Sequence, residues 1–452
     1  MKAEDHRKYT KDFKTLVNIV MLNTLGFFFM DFLIPIIARD RLEATLTQVG
    51  LIFSVMLIGF MISSFICGIL TDIIESKVIL ILIGSFGRGI TYFIIYFSIL
   101  FDQLIGLIIS NFILGFFVGF FWIPLNTLIS EKSYKDNRAH AFGKRQSRSA
   151  IGQIFGTMAG IGLFYLGIFL NNHFIMFLGI PIYGITNILA GILYKLKIDE
   201  SDVISKKIQI SQIDRELEKV KDLEGLRKSS DSLNDNNTKN QSSKLIKSKI
   251  FFVGIILLLA VVLLSNINGT LAKPFINIYL FENIVDNFLI ATFAYLPAGG
   301  FATLLAPKMG KLVDRLNPSL AIIILSASGA TITWFLINTP YIWVFSILLF
   351  FDIAIVMTTD LLFSSLLSRI SLTHRGKILG MSNTFINFGA IIGPVLGGFV
   401  GDLLGSRYPF IISIFVELCL IPLYLIVIRL LVPNLAEKSQ IDDRQIKEEI
   451  HI

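Results

Sequence analysis

The stretch Gly68-Ile-Leu-Thr-Asp72 has a counterpart at Gly310-Lys-Leu-Val-Asp314, in which glycine, leucine and aspartate keep their places. The two copies are 242 residues apart, since 68 plus 242 is 310, in a chain of 452 residues. Each copy lies where a long apolar run ends in a polar segment. This repeat predicts two halves of common origin with the same order of apolar segments.

A second set of repeated residues has a slightly shorter offset. One arginine and four glycines recur 237 residues later: Arg138, Gly143, Gly152, Gly156 and Gly160 return as Arg375, Gly380, Gly389, Gly393 and Gly397. Glycines four residues apart share one helix face, where two backbones in lipid can approach closely. We therefore predict that helices pack at Gly152, Gly156, Gly160, Gly389, Gly393, Pro394 and Gly397. Such faces suit helices that rock, and static packing of small residues is the alternative.

The composition is that of a membrane protein. Hydrophobic residues make up 54% of the chain, charged residues only 16%, and the mean hydropathy is +0.72. Soluble domains carry roughly 25% charged residues. Twelve apolar windows are long enough to cross a bilayer as helices. They lie near 16–38, 47–70, 78–100, 104–129, 149–170, 174–196, 250–281, 288–306, 319–337, 342–367, 378–400 and 408–432.

The basic residues are distributed unevenly between these windows. Of the 40 Lys and Arg residues, 35 fall in the terminal segments and the even-numbered loops, while three fall in the odd-numbered loops. The other two, Arg88 and Lys273, lie within spans. Positive residues stay on the cytoplasmic side. The count therefore predicts a multi-pass protein of the cell membrane with both termini in the cytoplasm. Because these charges do not form one basic domain, nucleic acid is not an expected partner.

One long polar segment separates the halves. We predict an N-terminal bundle at 1–196, a cytoplasmic linker at 197–249, a C-terminal bundle at 250–432 and a cytoplasmic tail at 433–452. Residues 229–243 contain too few apolar side chains to fold. Within the linker, Ile210, Ile213, Leu217 and Val220 recur at helical spacing. They indicate either an amphipathic helix on the membrane surface or a fraying linker helix.

With its two halves, its inner linker and the repeated Gly-x-Leu-x-Asp stretches, the chain resembles the major facilitator superfamily. The span-one pattern Asp31-x-x-x-Pro35 resembles the drug:proton antiporter branch. The resemblance implies an all-α membrane protein with twelve transmembrane helices in two six-helix bundles, the major facilitator fold. It also implies a central cavity that opens alternately to either side. A monomer without a cofactor is expected.

The loop residues of the repeated stretches resemble the cytoplasmic gate of that family. An aspartate at a helix junction can accept backbone N–H bonds at a neighbouring helix start and can pair with an arginine opposite it. The resemblance thus implies gate roles for five residues, with solvated loop charge as the alternative: Asp72, Asp314, Arg138, Arg315 and Arg375.

Ionisable groups at membrane depth are costly, so each is a candidate functional residue. Asp31 either binds protons or a cationic substrate, or caps a proline kink. Lys273 either pairs with Asp31 or extends outward. Asp352 and Asp360 lie on span ten, and Asn266 lies on span seven near Lys273. Asn111 stands where proton-coupled exporters of the resembled branch carry an arginine. For Arg88 and Glu417 a structural role is favoured.

These patterns indicate a secondary active transporter that moves a small organic solute. Proton-coupled efflux of drug-like or amphipathic compounds is one interpretation, and uptake of a sugar or another metabolite is the alternative. The sequence contains no phosphate-binding glycine loop, which disfavours ATP-driven transport. The five histidines and two cysteines are scattered without metal or nucleophile spacing, so neither an enzyme nor a metal site is predicted.

Overall fold

A computed structural model of the chain describes residues 9–133, 138–201, 241–288, 290–295, 318–369 and 375–431. Regular structure in these residues is helical, apart from one isolated bridge between Tyr9 and Ser133. In the first half the helices are α1 (Phe13–Asn23), α2 (Phe27–Asp40), α3 (Leu46–Ile73), α4 (Lys77–Leu100), α5 (Leu104–Glu131), α6 (Arg138–Phe169), α7 (His173–Met176) and α8 (Gly179–Lys197).

The second half repeats this all-helical character. Its helices are α9 (Gln241–Leu271), a 3-10 turn (Lys273–Phe275), α10 (Ile276–Asn283), α11 (Pro318–Leu336), α12 (Ile342–Arg369), α13 (Arg375–Leu404) and α14 (Tyr408–Leu431). Most of the predicted linker, residues 202–240, lies outside the described residues. The predicted amphipathic helix with Ile210 and Val220 lies there too.

Eleven helices in the described part of the chain are long and apolar enough to cross a membrane. The predicted eighth span begins as helix at Phe288 and Ile290–Tyr295, and its remainder lies outside the described residues. Large apolar side chains such as Phe65, which is 74% exposed, lie on the surface, as lipid contact requires. The predicted all-α membrane architecture is confirmed, and the helices agree with twelve spans.

Two predicted spans are interrupted. The first breaks between α1 and α2 at Thr24–Gly26, and the seventh breaks at the 3-10 turn beginning with Lys273. Pro35 lies inside α2 without interrupting the helix, so the first break is not at the proline. At the break the Thr24 hydroxyl donates to the Val20 and Ser149 carbonyls, at 3.0 and 3.2 Å. These bonds satisfy backbone groups that the interruption would leave unpaired in lipid.

Two compact units are distinguished by their internal contacts. Unit 1 comprises residues 1–27, 59–96 and 113–245, and unit 2 comprises residues 28–58, 97–112 and 246–452. The core of unit 1 includes Phe13, Phe121 and Tyr194. The core of unit 2 includes Leu258, Ile322 and Tyr424.

The glycine faces pack in corresponding ways in the two units. In unit 1 a side chain at Gly152 would clash with the Met21 carbonyl, and one at Gly156 would clash with the Leu25 carbonyl. In unit 2 the corresponding clashes are Gly389 with Leu263 and Gly393 with Ile267. The partners are again 242 residues apart, since 21 plus 242 is 263 and 25 plus 242 is 267. The two offsets read from the sequence therefore also relate pairs of packed helices.

Candidate functional site

Asp31 lies on α2 in unit 2, about one helical turn before Pro35. Protein atoms surround this residue closely, yet its side chain keeps solvent-accessible surface. A residue with both properties lines an internal cavity and does not face lipid. Within the described residues the Asp31 carboxylate makes no hydrogen bond and no ion pair shorter than 4 Å.

Lys273 lies at the interruption of the seventh span, in the same unit as Asp31. Its side chain is exposed and close enough to Asp31 for the two charges to interact. Pro274 follows it at the start of the 3-10 turn, where the missing N–H of proline costs little. Interrupted helices at membrane depth are where transporters of known structure bind substrates and ions.

Two residues that the sequence patterns did not indicate complete the surroundings of Asp31. Asn277 on α10 donates from Nδ2 to the Asp31 carbonyl at 3.3 Å, and the Tyr295 ring lies beside both residues. Neither residue is charged, and a single Asn or Tyr in an apolar run has no distinctive sequence signal. Only the fold identifies them.

Aromatic rings form the apolar part of this region. The Tyr295 ring centroid is 5.3 Å from that of Phe28 and 5.4 Å from that of Phe32. Phe32 also contacts Phe288 at 5.3 Å. These separations fall in the range of favourable ring pairs. The charged side chains of Asp31 and Lys273 therefore lie beside an aromatic wall, and we call this group of residues the Asp31 site.

The other predicted candidates are not joined to the Asp31 site. Asp352 accepts a 3.1 Å hydrogen bond from Thr333 and lies near Glu417, which accepts bonds from Asn268 at 3.0 Å and Ser326 at 2.6 Å. This network links spans seven, nine, ten and twelve within unit 2. The satisfied oxygens of Glu417 agree with a structural role.

The two amide candidates bond their own helices. Asn111 Nδ2 donates to the Leu107 carbonyl at 2.8 Å, and Asn266 Nδ2 donates to the Val262 carbonyl at 2.8 Å. Both bonds link a residue to the helical turn before it. In this arrangement the Nδ2 atoms satisfy helix backbone.

Most predicted gate residues lie where the structure gives no side chains. Asp72 is exposed near the end of α3. Asp314 and Arg315 lie outside the described residues, as do the side chains of Arg138, Arg375 and Asp360. The gate roles stay predictions.

The structure adds a helix cap that sequence reasoning missed. Asp402, near the end of α13, accepts the backbone N–H of Leu46 at 2.7 Å and that of Thr47 at 2.9 Å. Next to it the Ser54 hydroxyl donates to the Ile391 carbonyl at 2.6 Å, and Arg39 pairs with Glu282 at 3.0 Å. All these residues belong to unit 2. We call them the Asp402 contact; its sequence signal was an aspartate ending a span after a glycine-rich face.

Arg88 is fully buried in unit 1. Its guanidinium donates to the side chain and, at 2.8 Å, to the carbonyl of Asn23, the last residue of α1. The group also lies over the rings of Phe27 and Phe121, 4.5 and 5.0 Å from their centroids. Arg88 thereby satisfies a helix end at the first break, which agrees with the structural role expected for it.

A polar cluster lies at the helix ends of unit 1. Lys132 Nζ donates to Asp12 at 2.7 Å and to the Asp199 carbonyl at 2.5 Å. Glu200 accepts from the Lys77 N–H at 2.8 Å and so caps α4. Hydrogen bonds from Ser201 hold the pKa of the exposed Asp199 below its usual value. The cluster ties the residues after α8 to the starts of α1 and α4.

Comparison with known proteins places this fold in a family. A sequence model of the Major Facilitator Superfamily matches residues 16–373 and 363–448. No curated protein shows significant sequence similarity to the chain.

Two solved structures illustrate the structural likeness. A bacterial homologue of the human lysosomal transporter Spinster, inward-facing and occupied, aligns with a TM-score of 0.69 at 12% identity, over 94% of this chain and 99% of that one. The nucleoside transporter NupG aligns with a TM-score of 0.62 at 14% identity, over 92% and 99%. At such identities the likeness concerns the fold. The family match spans nearly the whole membrane portion, and the chain therefore belongs to the Major Facilitator Superfamily of membrane transporters.

Proposed function

We propose that this transporter moves a small organic solute by alternating access and couples that movement to protons through Asp31. The observation that carries the proposal is the Asp31 carboxylate, which is accessible at membrane depth and has no side-chain partner in the described part of the chain. A carboxylate in such a position is costly, and carboxylates at membrane depth often serve as proton relays. Binding a proton or a cationic group removes that cost.

Packing within the membrane supports helices that move as rigid bodies. The glycine faces of α6 and α13 meet helix backbones directly. Contacts between a glycine and a backbone involve no interlocking side chains, so they can slide at low energetic cost. Only a few polar bonds make up the Asp402 contact, and these can break and re-form during a transport cycle.

Efflux of amphipathic compounds is the direction we propose, because an aromatic wall beside a charged pair suits a solute with an apolar body. Uptake of a metabolite is the second candidate. It is favoured by the likeness of the fold to a nucleoside transporter. The two directions predict opposite proton movements in vesicles.

Proton coupling is tested in inside-out vesicles with an acidic lumen. A panel of amphipathic amines, ethidium among them, is added while a pH-sensitive dye reports the gradient. We expect a transported compound to dissipate the gradient, and Asp31→Asn to reduce the initial rate at least tenfold, because an amide cannot carry a proton.

The matched control is Asp286→Asn, a change of an exposed loop carboxylate with no partner within the described residues. This variant should dissipate the gradient at the parent rate. An Asp31→Asn protein that moves protons as fast as the parent would contradict the coupling role. Solute-driven proton entry into right-side-out vesicles would support uptake instead.

A further inference from the structure

We propose that the Asp31 site binds a zwitterionic solute with an apolar body, the amine at Asp31 and the anion at Lys273. This inference rests on the proposed function, since it names the substrate class of the same site. Its support is the relation between the two charged residues, the lack of partners for either charge, and the groups around them.

Asp31 and Lys273 occupy equivalent positions in the two repeats, because 31 plus 242 is 273. The same offset relates the repeated Gly-x-Leu-x-Asp stretches and the carbonyls that meet the packed glycines. The fold brings these equivalent positions within electrostatic range of each other. One position carries a negative charge and its counterpart a positive charge.

Neither charge is satisfied by the protein. Across the described ranges, no ion pair shorter than 4 Å and no side-chain hydrogen bond involves the Asp31 carboxylate or the Lys273 ammonium. Both side chains are exposed to solvent. A structural ion pair would hold its two groups in contact and shield them. Here each charge keeps free hydrogen-bonding capacity for a ligand.

The opposite signs restrict the ligand. At similar distances an added cation is attracted by Asp31 and repelled by Lys273 with comparable energies, about 1 kcal/mol at 4 Å in bulk water and more where water is excluded. A lone anion meets the same cancellation. A solute that carries both charges gains from both residues, so the site discriminates by charge pattern and not by net charge.

Neighbouring groups complete the site. Asn277 is 3% exposed, and its Oδ1 atom accepts no hydrogen bond of good geometry, although Tyr295 lies nearby. An unpaired buried carbonyl of this kind favours a donor from the ligand. The rings of Phe28, Phe32 and Tyr295 provide the apolar contact for the body of the solute.

A matched set of three probes tests the charge pattern on the purified full-length protein in lipid nanodiscs. Phenylalanine carries both charges, phenethylamine carries only the amine, and 3-phenylpropanoate carries only the carboxylate. Titration calorimetry without any gradient gives their affinities. We expect phenylalanine to bind about tenfold more tightly than either single-charge probe, which is the effect of one charge-assisted hydrogen bond.

The variants assign each charge to its residue. Asp31→Asn should lower phenylalanine affinity to that of 3-phenylpropanoate, and Lys273→Gln should lower it to that of phenethylamine. The combined exchange Asp31→Lys with Lys273→Asp should recover part of the affinity, because the positions are equivalent. Lys195→Gln, at an exposed lysine, is the control and should change nothing.

Three results would overturn the proposal. They are single-charge probes that bind as tightly as phenylalanine, phenylalanine binding that survives Asp31→Asn combined with Lys273→Gln, and no binding of either phenylalanine or 2-aminodecanoic acid, which has an alkyl body. Because the binding needs no gradient, failure of proton coupling leaves this measurement intact. Coupling that holds while zwitterions do not bind would overturn this inference alone.

Discussion

At the scale of single residues, charged side chains near membrane depth satisfy helix ends. Asp402 accepts two backbone N–H groups at the start of α3, Glu200 does the same for α4, and Arg88 donates to the last carbonyl of α1. The first N–H groups and last carbonyls of a helix have no partners within the helix. Charges that are expensive in lipid therefore offset another cost, and Asp31 and Lys273 are exceptions that point to a ligand.

The Asp402 cap gives a prediction at this scale. Replacing Asp402 by Ala leaves the Leu46 and Thr47 N–H groups without the carboxylate. We expect the free energy of unfolding to fall by about 1 kcal/mol, the usual effect of removing a helix cap. Thermal unfolding in detergent measures the change.

Asp402→Asn should retain part of the stability, because an amide oxygen still accepts a hydrogen bond. Asp286→Asn serves again as the exposed control. An Asp402→Ala protein that unfolds at the parent temperature would show that the cap contributes nothing.

At the scale of elements, helix interruptions and glycine faces determine how the spans pack. The break at Thr24–Gly26 is stabilised by contacts from α4, α6 and α8, among them Gly26 against the Tyr183 ring. Pro35, the residue most expected to disturb the first span, lies within a continuous helix. Partners in three dimensions therefore decide where these spans break.

Two glycines of α6 give a matched prediction. A Cβ atom at Gly156 would meet the Leu25 carbonyl, whereas at Gly162 it would meet nothing within 4 Å. We expect Gly156→Ala to lower the free energy of unfolding by about 1–3 kcal/mol through overpacking. Gly162→Ala should be neutral or stabilising by up to about 1 kcal/mol, because alanine favours the helix.

The comparison is made by thermal unfolding of both variants in the same detergent. Equal losses of stability would contradict the close approach of α6 and α1. A larger loss in Gly162→Ala would do so as well.

At the scale of the whole molecule, the prediction concerns orientation in the membrane. The distribution of Lys and Arg predicts Lys144 and Lys228 in the cytoplasm and Asp286 outside. Single cysteines at these positions, in a chain with Cys67 and Cys419 changed to Ser, are treated with an impermeant maleimide on intact cells. Only the Asp286→Cys protein should react before the membrane is permeabilised.

Lys144 and Lys228 should then react together after permeabilisation. Labelling of these two positions from opposite faces would contradict an even number of spans between them. It would also remove the basis for the predicted gate and linker. Reaction of both in intact cells would reverse the orientation while keeping the span count.

The sequence by itself determined the membrane class, the spans and the internal repeat. These follow from local properties: a run of about twenty apolar residues needs a bilayer wherever it packs, and repeated residues keep their spacing in any fold. Asp31 and Lys273 could be selected as candidates for the same reason, since a charge at membrane depth is costly on its own. Their equivalence under the 242-residue offset was also present in the sequence.

Only the tertiary structure decided which of these residues meet. The proximity of Asp31 to Lys273, the positions of Asn277 and Tyr295, and the cap that Asp402 provides for α3 all join residues more than 200 positions apart. Such contacts depend on helix rotation and packing, which no local pattern encodes. A neutral side chain such as Asn277 acquires its role only from the neighbours that the fold provides.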